Sequence, residues 1–140
     1  MQRLLDPRMR SILFGLWCVA WLVVAVLLLM PLRDPPGFSH ADLIAHFLLF
    51  GVLAFGAVGF SRRGAELTLL AVATVAGGVA LEFAQGLVPS RTFDILDMGA
   101  NTLGAMVGYA GALSVLLLLI RPAAEARAKD AAQASTMTSR

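Results

Sequence analysis

Four long apolar blocks, separated by short polar connectors, constrain this chain more than any other feature. The first runs from Ile12 to Leu32, 21 residues without a charge. At about 1.5 Å per residue, a helix of that length crosses a hydrocarbon core about 30 Å thick. Three further blocks follow at about 42–60, 67–88 and 95–120. Prolines and basic residues punctuate them. Pro31, Pro35 and Pro36 end the first, Arg62, Arg63 and Gly64 the second, Pro89 the third, and Arg121 with Pro122 the fourth.

Composition supports lipid as the solvent. Only 14% of the 140 residues are charged and 59% are hydrophobic, whereas a soluble domain carries about 25% charged residues. The expected fold is therefore all-α, an integral membrane four-helix bundle. It comprises an N-terminal segment (1–11), a transmembrane domain (12–120) and a flexible tail (121–140). The first block is too long for the apolar region of a signal peptide. No small-residue cleavage pattern follows it, so it reads as a retained helix.

The basic residues set the expected orientation. Nine Lys and Arg residues fall in the N-terminal segment, the second connector and the tail, against Arg33 and Arg91 on the other side. The positive-inside rule then places both termini in the cytoplasm. The pI near 9.3 does not point to nucleic acid, because the basic residues form no face and no recognition module. Cys18 lies alone in the first block, and no Cys/His metal spacing exists.

The polar residues inside the spans gather at one end. Asp42 and His46 stand at i,i+4 in the outer turns of the second helix. Glu82 and Gln85 stand at i,i+3 near the outer end of the third. Asp94, Asp97 and Asn101 form one stripe at the start of the fourth, and Arg91 precedes them in the connector. Ionisable groups within a span are costly and usually face the bundle interior or a wet cavity. These eight residues are the candidate ligand-binding set, with Arg91 the expected counter-charge of Glu82.

Simpler roles compete with that reading. Ser39 and Asp42 fit a capping box. Asp94 and Asp97 fit the N-cap and first-turn acids of a helix. Asn101 fits a hydrogen bond to a neighbouring helix, and His40 a solvated loop residue. Gly104 and Gly108 form a close-approach motif, which Gly51, Gly56, Gly59, Gly77 and Gly78 extend to other helices. Trp17, Trp21, Phe47, Phe50 and Phe55 read as packing residues.

The run Ala41-Asp42-Leu43-Ile44-Ala45-His46-Phe47 resembles the first motif of the VanZ-like membrane proteins. Leu81-Glu82-Phe83-Ala84-Gln85, Pro89-Ser90-Arg91-Thr92-Phe93-Asp94, Asp97 and Asn101-Thr102-Leu103-Gly104-Ala105 resemble the second. The resemblance covers about residues 40–108. It departs at Leu43, where the family often carries Lys. It implies a bacterial inner-membrane protein with a link to resistance to the lipoglycopeptide teicoplanin, and it supplies no reaction.

Several functions follow as expectations. One is a binding protein with an outward-facing polar pocket for a lipid headgroup, an amphiphile or an envelope component. The alternative is a membrane-embedded enzyme acting on a lipid or lipid-linked precursor. His46 oriented by Asp42 would be its base and Glu82 its acid. Apart from Ser90 in the loop, no Ser or Cys near the set would make a convincing nucleophile, so the chemistry would need water or metal. No cofactor and no metal are expected, His46, Glu82 and Asp97 being the alternative metal set. A transport path ranks last, because the inner halves of the helices are dry. Expected partners are membrane lipids, lipid-linked envelope molecules or a lipoglycopeptide, and a second copy of the chain.

Overall fold

The computed structural model describes residues 6–31, 40–89, 91 and 93–138. Among them are four helices long and apolar enough to cross a membrane, and no strand. They are α1 (Pro7–Leu29), α2 (His40–Gly56), α3 (Gly64–Gln85) and α4 (Ile95–Thr138), with a 3-10 turn at Ala57–Gly59 after α2. A backbone in hydrocarbon must satisfy its own hydrogen bonds, which is why each apolar block is helical. The chain is a multi-pass membrane protein.

Local chemistry sets the helix ends. Asp6 caps α1 by accepting from the Arg8 backbone N–H at 3.1 Å, and Pro7 occupies the first turn. This cap lies a turn and a half before Ile12, where α1 was expected to begin. At the other end Met30 is extended, with ψ of 128°, because Pro31 follows it. Pro122 does not end α4 as its position suggests. The helix continues to Thr138, beyond the apolar segment Ile95–Leu118. Ser39, Ser90 and Arg33, singled out above, lie outside the described residues.

α2 and α4 form the closest pair. A methyl group on Gly104 would run into the Phe47 carbonyl, and one on Gly108 into the Gly51 carbonyl. The expected glycine motif is therefore the contact surface itself. Gly78 of α3 meets Phe50 and Asn101, so α3 lies against this pair. Phe50, Leu53, Ala54 and Ala105 pack with Val24 and Leu28 of α1 in one core cluster. Ala57, Phe60, Leu67, Ala112 and Leu116 form a second toward the other end.

Besides this apolar packing, α1 is fastened by side chains that donate to backbone carbonyls. Trp17 Nε1 donates to Leu53 O at 2.8 Å. The Arg10 guanidinium donates to Phe60 O at 2.6 and 3.1 Å. Trp21 packs edge-on against Phe50 and fills the space left by Gly77. Outward-facing residues of the bundle are large and apolar, among them Leu22, Val52, Leu69, Val72 and Leu118. An apolar exterior of that extent suits lipid.

Candidate functional site

The antiparallel arrangement brings the C-terminal ends of α1 and α3 to the N-terminal ends of α2 and α4. Polar side chains converge there. His46 lies one turn before Phe50 on the buried stripe of α2, and Asn101 one turn before Ala105 on the stripe of α4. Because Gly104 lets α4 close onto Phe47, the two polar residues meet. His46 Nδ1 stands 2.9 Å from Asn101 Oδ1. A carboxamide oxygen only accepts, so Nδ1 carries the proton in this bond.

That leaves His46 Nε2 facing two carboxylates, Asp97 Oδ2 at 3.9 Å and Asp42 Oδ1 at 4.0 Å. The imidazole is 1% exposed, and Nε2 has no hydrogen-bond partner. Asp42 is 57% exposed, so it forms the open side of the group. One nitrogen and two carboxylate oxygens, from His46, Asp42 and Asp97, lie within 4.8 Å of one another.

Glu82 enters from α3, one turn beyond Gly78. Its Oε1 accepts from the Asp94 backbone N–H at 2.8 Å, which ties the end of α3 to the start of α4. Its Oε2 is buried without a partner. Asp97, His46 and Asp94 lie within electrostatic reach of this carboxylate. Asp94 itself is the N-cap of α4, accepting from the Leu96 N–H at 2.8 Å. Asp97 follows in the first turn.

Two of the proposed ligand residues are engaged elsewhere. Gln85 Nε2 donates to Leu28 O at 2.9 Å. Arg91 reaches Met30 O and Leu27 O at 3.4 and 3.5 Å. Both cover carbonyls in the last turn of α1, which has no intrahelical partners for them. Arg91 is within electrostatic reach of Asp97, but among the described residues no ion pair joins it to Glu82. An expected counter-charge thus becomes a helix cap.

The resulting site is acidic. Asp42, Glu82, Asp94 and Asp97 surround one neutral-capable imidazole, with Asn101 fixing its tautomer. Such a group can accept from hydroxyls or ammonium groups, or coordinate a cation. The side chain of His40 and the residue Ser90 lie outside what is described at this end.

Comparison with known proteins adds a family. The VanZ/LLP1 family model matches residues 25–120, which takes in all of the cluster and leaves out most of α1. An uncharacterized protein of Schizosaccharomyces pombe is 38% identical over 66 residues. That match covers 45% of this chain and 41% of the yeast protein, so the chain spans less than half the length of that relative. No solved structure matches.

Proposed function

The chain belongs to the VanZ/LLP1 family, and from that premise we propose that it binds the polar headgroup of an envelope lipid or lipid-linked amphiphile at the acidic end of its bundle. The proposal includes a lipoglycopeptide such as teicoplanin as ligand, and with it the link to glycopeptide resistance. It also includes a bacterial inner-membrane location, with both termini cytoplasmic and the cluster facing outward. Asp42, His46, Glu82, Asp97 and Asn101 form the binding surface. Asp94, Gln85 and Arg91 hold the helix ends that present it.

One observation carries this reading: three helices bring their buried polar groups to a single point, and three of those atoms, the acceptors His46 Nε2 and Glu82 Oε2 and the donor Asn101 Nδ2, have no partner. An unpaired buried polar atom costs about 1–3 kcal/mol, so its retention favours a ligand that supplies the partner. The acidic balance favours hydroxyls and ammonium groups over bare phosphate. The test is binding of a labelled-headgroup lipid panel and of labelled teicoplanin to the full chain in nanodiscs. Glu82→Gln keeps the side-chain shape and is expected to weaken capture about tenfold, equivalent to about 1.4 kcal/mol. Unchanged capture by Glu82→Gln, Asp97→Asn and Asp42→Asn alike would sink the reading.

A second reading rests on the His46 tautomer. With Nδ1–H held by Asn101, Nε2 presents a free lone pair, as a general base requires. The chain would then act on the lipid it binds. Mass spectrometry of the same lipid panel checks this: a product absent with His46→Gln would favour it, and no product with any lipid would remove it.

A further inference from the structure

We propose that Asp42, His46 and Asp97 form a site for a single divalent transition ion of the zinc or manganese class, with Asn101 as its supporting group. This deepens the binding reading above and rests on the cluster being a ligand site. The donor set is one imidazole nitrogen and two carboxylate oxygens. The imidazole favours zinc and the carboxylates also suit manganese, whereas calcium and magnesium prefer all-oxygen sets. Carboxylates alone would not discriminate in this way.

Two features lift the group above a chance gathering of acids. The first is His46 Nε2, 1% exposed, without a partner, and placed between the two carboxylates. The second is the bond from His46 Nδ1–H to Asn101 Oδ1. A metal-ligating histidine almost always donates its other ring N–H to a carbonyl or carboxylate, which fixes the tautomer and the ring plane. Here that partner is in place, and it comes from a different helix than the histidine.

The distances fit with little movement. Ligands at about 2.0–2.2 Å from a zinc ion stand roughly 3.3 Å apart. The present separations from Nε2 are 3.9 and 4.0 Å, so each carboxylate need close on it by about 0.7 Å, and the two carboxylate oxygens, within 4.8 Å of each other, must also draw together. Asp42 is free to do so, being more than half exposed on the outer turn of α2. Glu82, within electrostatic reach of Asp97 and His46 and with Oε2 buried and unpaired, is a candidate acceptor for a metal-bound water. The ion would offset the charge of the surrounding carboxylates and leave coordination positions open on the exposed side. A phosphate or hydroxyl of a headgroup could fill them, a task for which Arg91 is not placed.

The experiment is titration of the full chain, chelator-stripped in nanodiscs, with zinc chloride and separately with manganese chloride. Calorimetry reads the first and electron paramagnetic resonance the second. One ion per chain is expected, with calcium failing to compete. Asp97→Asn and Asp42→Asn should each weaken binding by at least about tenfold, and Asn101→Ala by about 10–100-fold through loss of the supporting bond. Glu66→Gln, at the opposite end of α3, should bind as the unaltered chain does. Asp42 is exposed, so its variant leaves folding intact and keeps the test open even if His46→Ala fails to fold. Absent binding, or binding indifferent to Asp42 and Asp97, would overturn the metal site. Metal binding could fail while headgroup capture still depends on Glu82. The metal inference would then fall and the binding reading stand; loss of both dependences would remove both.

Discussion

His46 and Asn101 illustrate how one polar contact sets the character of a whole end of the bundle. The bond is buried, joins two helices and fixes a tautomer. Asn101→Ala should leave the imidazole N–H unpaired and lower stability by about 1–2 kcal/mol, since polar contacts between membrane helices sit at the low end of the usual range. Thermal unfolding in detergent reads this, and Asn101→Gln is not expected to rescue it because the longer amide overshoots. At this scale much was legible. The i,i+4 pair Asp42 and His46 and the stripe Asp94, Asp97 and Asn101 converge as their helical spacing implies. The partners of Gln85 and Arg91 were not legible, because both bind backbone carbonyls of α1. A carbonyl carries no residue identity, so no pattern of side chains announces it.

Among the elements, α2 and α4 depend on glycine more than on apolar side chains. At Gly108 any side chain meets the Gly51 carbonyl, which belongs to a rigid backbone and cannot turn aside. Gly108→Ala should therefore force α2 and α4 apart and cost about 1–3 kcal/mol. Gly15→Ala and Gly99→Ala, with nothing within 4 Å of the added methyl, should not destabilise and should raise stability by up to about 1 kcal/mol. Gly108→Ala should also disturb the site, because the approach that seats Gly104 on Phe47 is what lets Asn101 reach His46. Equal melting of all three variants would refute the argument. The glycine motif was readable from the sequence. The end of α4 was not: Pro122 suggests a stop, yet the helix runs to Thr138. A proline removes one backbone hydrogen bond, and an alanine-rich sequence on its far side supports renewed helix.

For the molecule as a whole, the charge bias of the connectors and the one-ended polarity make a joint statement about sidedness. If both termini are cytoplasmic, the connector between α3 and α4 faces outward and the one before α3 faces inward. In a chain with Cys18 replaced by alanine, Leu87→Cys should react with a membrane-impermeant maleimide added to intact cells, and Gly64→Cys only after lysis. Leu87 is among the most exposed residues, so access does not limit the reaction. The reverse pattern would turn the acidic cluster toward the cytoplasm and remove envelope ligands from consideration.

The fastening of α1 has a consequence for how this family varies. Trp17, Arg10 and Gln85 each grip a carbonyl, so Leu53, Phe60 and Leu28 could change identity without loosening the grip. Such contacts leave no paired substitutions for evolution to record. In an alignment of homologues, these three grips should leave no correlated columns, whereas the side-chain contacts of α1, such as Trp21 on Phe50, should.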